Sequence, residues 1–444
     1  MKWRVYPKYK SSCVEWLSEV PSGWPVERLR FHAKINPSKL EINGVTGDTD
    51  VSFVPMEAVG EYGGLKLDLT KPLGDVANGY TYFKEGDVVV AKITPCFENG
   101  KGSIAENLEN GIGFGTTELH VMRPVDDMDR RFLFYLTISN PFRLIGMSYM
   151  YGAGGQKRVP GDFIRNFRHP IPLLEVQYVI AAFLDRETAR IDALIEKKQR
   201  QIELLQERRA ALINHAVTKG LDPDVQMKDS GIEWLGEIPA HWEACPVKRV
   251  STRIQTGCTP PTSEERYYED GTVPWYGPGS FSTNLVLSEP VKLLNEAAIR
   301  EGAARLFAAD SIMVVCIGAT IGKVGYLASP ASSNQQITAI TPNAKKASGK
   351  FLSYQLKRLE HVLRGVAPST TLPIMDQQEV GYLPCALPTL EEQNLIVEYL
   401  DRASQKADTM TANIHDSIAM LREYRTALIS AAVTGKIDVR EVVV

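Results

Sequence analysis

A chain of 444 residues, 44% hydrophobic and 23% charged, is long enough for two or three domains that each bury a core. Its formal net charge of −3 argues against a protein that binds nucleic acid unaided, so a DNA reader of this composition needs local positive patches or a basic partner. The N-terminal MKWRVYPKYK lacks the apolar stretch of a signal peptide, and the longest apolar run, near 312–317, is far too short to span a bilayer, so a cytoplasmic protein without membrane contact is expected.

In chain order, the first feature is a segment that occurs twice. SCVEWLSEVPSGW at 12–24 returns as SGIEWLGEIPAHW at 230–242, with Ser12, Glu15, Trp16, Leu17, Glu19, Pro21 and Trp24 unchanged. A region of 148 residues from Trp24 to Pro172 follows the first copy, and one of 146 from Trp242 to Pro388 follows the second. These two regions match only thinly. FKEGDVVVAKI (83–93) reads as a strand opened by a turn, and FAADSIMVVCI (307–317) stands in its place. Phe83 and Phe307, Asp87 and Asp310, and the pairs Gly100-Lys101 and Gly322-Lys323 agree, while most of the rest diverges. Short strands, Gly/Pro/Asn turns and helices over 130–146 and 347–363 predict a mixed α/β domain in each copy.

The loop SYMYGAGGQKRV (148–159) sets Tyr149, Tyr151, Gln156, Lys157 and Arg158 among glycines, and RGVAPSTTLP (364–373) stands at the matching place. In the second region Tyr267, Tyr268, Trp275 and Tyr276 interleave with polar residues. Amides and cations on loops suit base edges and phosphates, although solvated loops that pack a few aromatics look the same. Gly318-Ala-Thr-Ile-Gly322-Lys323 is one residue short of a phosphate loop and has no Ser or Thr after its lysine, so it reads as a hairpin turn. No methyltransferase, triad or HExxH pattern stands out, and the six cysteines and seven histidines show no metal spacing.

The longest repeat is helical. Residues 172–218 align without a gap on 388–434, with 19 of 47 positions identical. Pro172 and the Thr-x-x-Glu capping box Thr389–Glu392 mark the starts, and Gly220 and Gly435 the stops. Between them apolar residues follow a heptad. One seam holds Leu184, Ile191, Lys198, Leu205 and Leu212 with Thr188, Ile195, Ile202, Arg209 and Ala216. The other holds Leu400, Ala407, Ile414, Leu421 and Leu428 with Ser404, Thr411, Ile418, Arg425 and Ala432. Each seam needs a partner, and the other copy is the obvious one, packed antiparallel about a pseudo-two-fold axis.

These features together resemble the specificity subunit of type I restriction-modification systems. The carriers are DSGIEWLGEIPAHW (229–242) and its weaker twin, TIGKVG (320–325), NQQI (334–337), and the helix openings PLLEVQ (172–177) and PTLEEQ (388–393). The resemblance covers nearly the whole chain. It implies a target recognition domain at 1–171, a conserved helix at 172–220, a second recognition domain at 221–387 and a C-terminal helix at 388–436. It also implies an α/β (mixed α+β) fold in which two unlike readers, joined by an antiparallel coiled coil, each recognise half of a bipartite, asymmetric double-stranded DNA site. Two modification (methyltransferase) subunits would dock on the helices, and restriction (endonuclease/translocase) subunits would complete the complex. This chain would carry no catalysis and no cofactor; S-adenosylmethionine and ATP would bind the partners. A related bipartite system that cleaves beside its site is the alternative; an enzyme with its own site and a coiled-coil adaptor without a DNA role are the competing classes.

The expected DNA contacts are Lys92, Lys101, Gln156, Lys157 and Arg158 in the first domain and Thr256, Tyr276, Lys323, Ser369 and Thr370 in the second. Leu184, Ile191, Ile202, Leu205, Leu212, Leu400, Ile414, Ile418, Leu421 and Leu428 are the expected coiled-coil residues.

Overall fold

The computed structural model describes residues 3–153, 155–233, 235–360 and 374–441; Ser369 and Thr370 lie outside them. The chain divides into two compact units, Met1–Gln199 with His415–Val444, and Arg200–Ile414. Both long helices, Leu174–Lys219 and Leu390–Val433, are continuous, and each is shared between the units.

In the first unit a four-stranded sheet runs in the order Ala33–Ile35, Leu119–Pro124, Val88–Ala91, Gly102–Ile104, all antiparallel. The Val88–Ala91 strand is buried along its whole length, which explains its unbroken apolar sequence. A second sheet holds Asp50–Val54 and Ile112–Gly115 side by side. In the second unit Ser251–Thr256, Ile337–Pro342, Ile312–Val315 and Val324–Tyr326 repeat the first sheet's order and direction. The small pairs Val26–Arg28 with Arg168–Pro170 and Glu243–Pro246 with Pro384–Leu387 also correspond. In the second of these Cys245 faces Cys385, their sulfurs 3.9 Å apart as free, buried thiols.

Three expectations change. The helix foreseen over 130–146 is two, Arg130–Ile138 and Asn140–Ser148, because Ser139 is extended and Pro141 opens a new helix. Strand register places Ser311, not Asp310, opposite Asp87 in the repeat, since Val88 and Ile312 occupy equal ladder positions. Asp310 instead matches Gly86, and both take positive φ, 67° and 85°, at the turn. The capping box at Thr389 forms by half: Thr389 Oγ1 accepts from the Glu392 amide, but the Glu392 carboxylate accepts from Trp242 Nε1 and pairs with His241.

The helix pair is built alike in each unit. In the second, residues 201–213 of one helix meet 414–399 of the other in falling order, which fixes them as antiparallel. Arg209 pairs there with Asp408 at 2.7 Å. In the first unit Arg425 pairs with Asp192 at 2.5 Å. At the repeat offset of 216, Asp192 becomes Asp408 and Arg209 becomes Arg425. One ion pair is therefore made twice with the copies exchanged, the signature of a pseudo-two-fold repeat. Leu184, Ile191, Ile202, Leu400, Ile418 and Leu428 are buried, while Leu205, Leu212, Ile414 and Leu421 are half-buried.

Both helices stop at a glycine with positive φ, Gly220 at 77° and Gly435 at 73°. A side chain at Gly435 would also strike Pro21 at 2.6 Å and Trp24 at 3.1 Å. The twice-occurring tryptophan thus covers the twice-occurring helix end, since Trp242 lies 3.4 Å from where a Cβ of Gly220 would be.

Candidate nucleic-acid interface

The central strand of each four-stranded sheet ends at a small platform. In the first unit the Lys92 amide donates to the Glu118 carbonyl at 2.9 Å, and the Val159 amide donates to the Lys92 carbonyl at 2.8 Å. In the second unit Cys316 donates to Gln336 at 2.8 Å, and Met375 to Cys316 at 2.8 Å. Ile93 bridges Arg158 as Ile317 bridges Ile374. One main-chain frame therefore exists twice, and short helices, Gly161–Asn166 and Gln377–Tyr382, leave it at the same place.

The side chains on that frame differ in kind. In the first unit Arg158 Nε and Nη2 donate to the two Glu118 carboxylate oxygens, each at 2.9 Å. The hydrogen bond from Arg158 holds the Glu118 carboxyl below its ordinary range, and the same bond raises the Arg158 guanidinium. Lys92 stands beside them, half-buried, and Gln156 and Lys157 are exposed on the adjoining loop. His120 is buried, its Nε2 2.9 Å from the Val159 carbonyl and its Nδ1 3.2 Å from Asn36; burial lowers its pKa.

In the second unit the corresponding residues are Cys316, Gln336, Ile374 and Thr338, none of them charged. Cys316, Ile374 and Thr338 border a cleft of about 510 Å³ lined also by Thr256, Gln335, Asp376 and Gln377, among others. Gln377 Nε2 donates to Thr256 Oγ1 at 2.7 Å, and that hydroxyl lies 3.2 Å from Thr338 Oγ1. Arg305 donates to the Thr256 carbonyl, and Thr259 to Gln335 Oε1.

The structure thus brings Lys92 and Arg158 to one platform and Thr256 to its counterpart. It uses Lys101 and Lys323 within their own units. Their ammonium groups donate to the Met56 carbonyl at 3.1 Å and the Phe281 carbonyl at 2.9 Å, so the repeated Gly-Lys pair braces a loop. Tyr276 departs from the expectation that it meets DNA. It is 5% exposed in an apolar cluster, its hydroxyl donates to the Leu287 carbonyl at 3.1 Å, and burial raises its pKa. Glu118 and Gln377 were not singled out by the sequence, which carries no periodic or repeated signal at those positions, and Gln335 was visible only as a letter of NQQI. Among the described residues no helix is long and apolar enough to cross a membrane.

Comparison with known proteins assigns this duplicated frame. The family model for the type I restriction modification DNA specificity domain matches residues 68–204 and 239–420. The type I restriction enzyme EcoAI specificity subunit of Escherichia coli is 44% identical over 161 residues, 36% of this chain but only 27% of that relative. A putative type I restriction enzyme MjaX specificity subunit of Methanocaldococcus jannaschii is 22% identical over 442 residues, 96% of each chain. A solved chain from work on complex assembly and conformational transition of the type I R-M system shares the fold, with a TM-score of 0.74 at 18% identity, over 94% of this chain and 99% of that one. With two matching segments that take in well over half of its length, the chain belongs to the type I restriction modification DNA specificity domain family.

Proposed function

We propose that this chain is the DNA sequence-specificity subunit of a type I restriction-modification complex, and that each unit reads one half of a bipartite, asymmetric site in double-stranded DNA. The observation that carries the reading is the repeated platform: its main-chain hydrogen bonds agree between the units, while Lys92, Glu118 and Arg158 on one are replaced by Cys316, Gln336 and Ile374 on the other. Unlike side chains on the open face of a kept frame suit two readers of unlike sequences. In this reading the two long helices, each continuous, space the half-sites.

The chain is non-catalytic in this reading. S-adenosylmethionine and ATP are bound by partners: two modification subunits and the restriction subunits, in the cytoplasm. A feature of the helices supports two like partners. Leu194 and Met410 are repeat equivalents, as are Leu204 and Met420, and all four are at least 37% exposed. Each unit therefore presents one exposed leucine and one exposed methionine on its helix pair. Leu204 and Met410 border an open cleft of about 490 Å³ in the second unit. Apolar positions kept exposed in both copies suit a protein surface more than water.

The test is to co-express the chain with modification subunits and map methylated adenines. The expected result is a gapped two-part motif with a mark on each strand. Methylation by the chain alone, or a single uninterrupted motif, would contradict the proposal.

A further inference from the structure

The geometry points to one strip of the repeated frame, 158–161 in the first unit and 374–377 in the second, as the place of direct base reading: Arg158 contacts a guanine in one half-site, and Gln377 an adenine in the other. This inference rests on the chain being a DNA specificity subunit and names the residues and bases involved.

The strip reads Arg158-Val159-Pro160-Gly161 in one unit and Ile374-Met375-Asp376-Gln377 in the other. Equal hydrogen bonds to the Lys92 and Cys316 carbonyls fix its two copies. The polar reader stands at the first place in one and at the last in the other. Where Gln377 stands, the first unit has glycine, around which His120, Arg165 and Asn36 lie 3.6 to 3.8 Å from where a Cβ would be. Where Arg158 stands, the second unit has isoleucine, and Gln336 at the Glu118 position accepts instead from Asn334 Nδ2 at 2.9 Å.

Arg158 is set for a purine edge that offers only acceptors. Glu118 engages Nε and the inner N–H of Nη2, which locks the plane of the guanidinium. The outer edge, Nη1 with the other N–H of Nη2, remains for O6 and N7 of guanine. The Gln156 carbonyl is 3.4 Å from Nη1, a contact long enough to yield. The guanidinium side chain is 38% exposed, so this edge can be reached.

Gln377 is set for an edge that offers one donor and one acceptor. Its Nε2 spends one hydrogen on Thr256, leaving Oε1 and the second N–H side by side. Adenine presents N6–H and N7 at the matching spacing. Thr256 acts as a positioning residue: its hydroxyl accepts from Gln377 and is itself held 3.2 Å from Thr338 Oγ1. Arg305, on the Thr256 carbonyl, puts a cation at the rim where a phosphate could lie.

The experiment uses the chain assembled with its modification subunits and a duplex pool randomised in both half-sites, with bound molecules sequenced. Gln377→Ala should lose the preference at one A·T pair in one half-site by about 10- to 100-fold and leave the other half-site as in the parent. Thr256→Val should soften the same pair to a smaller extent. Arg158→Ala, and Arg158→Ala with Glu118→Ala so that no carboxylate is stranded, should relax one G·C pair in the other half-site. An unchanged profile, an equal loss on all duplexes, or relaxation at a different type of base pair would overturn the inference while the parent complex still selects a two-part site. A parent complex that selects no half-site would instead overturn the specificity reading itself.

Discussion

Gln177 and Gln393 show how much a single repeated side chain can hold. Both are 0% exposed. Gln177 accepts from the Asp129 amide and donates to the Asp127 and Pro172 carbonyls. Gln393 accepts from the Ser348 amide and donates to the Lys346 and Pro388 carbonyls. Each amide thus ties the start of a long helix to the start of a helix in the adjoining domain. The glutamine in PLLEVQ and PTLEEQ was visible as a repeated letter, but its role was not, because two of its three partners lie 45 to 50 residues upstream. Replacing either with alanine removes the partner of three backbone groups, some buried and some part-buried, and each substitution should lower stability by about 2–4 kcal/mol in chemical denaturation. A loss under about 0.5 kcal/mol would contradict the arrangement.

His169 gives the residue scale a pH signature. Its ring is buried beside Trp16, Phe132 and Phe167, and burial pushes its pKa down to about 3. An unfolded imidazole takes a proton near pH 6.5, so between those values the unfolded chain binds more protons than the folded one. The histidine's contribution is therefore intact above about pH 6.5 and is lost as pH falls toward 3, by at most about 1.4 kcal/mol per pH unit. The residue opposite Glu27 here corresponds to Cys385 opposite Cys245 in the second unit. His169→Cys should accordingly flatten the fall in urea midpoint between pH 6 and 4. An unchanged slope would mean that the ring is protonated in the fold.

At the scale of elements, the long helices were the most legible part of the sequence. A heptad is a local signal, and none of its seam positions is exposed in either copy. The break at Ser139 and the half-formed box at Thr389 were less legible, because tertiary partners decide them: Glu392 is drawn to Trp242 instead of its own N-terminus. The exchanged ion pairs Arg209–Asp408 and Arg425–Asp192 follow from the repeat but contribute little energy, since both aspartates are about half-exposed. The exposed apolar pair bears more on the proposed assembly. Leu204→Glu with Met410→Glu should leave the helical circular dichroism unchanged and weaken capture of modification subunits at least tenfold in a titration, if that pair is central to the contact. Undiminished capture would remove this face from the proposed interface.

For the molecule as a whole, the duplication could be read from identities at 12–24, 230–242 and the two helices. The fold class followed from it. The proposed reading residues did not, and the reason is physical. A base contact must differ between two readers of different sequences, so internal comparison is blind where specificity resides. Gln377 aligns with a glycine and Arg158 with an isoleucine, whereas the well-matched Lys101 and Lys323 hold their own loops in place. Agreement between the copies marked the frame, and only coordinates showed which divergent residues share its open face.

The central claim, that two unlike readers sit on one duplicated frame, is tested most directly by making the readers alike. Residues 25–171 would be replaced by 243–387, and the methylated motif of the resulting complex mapped in the host. The account predicts that the original second half-site now appears on both sides of the gap. A motif that still requires the original first half-site would contradict it.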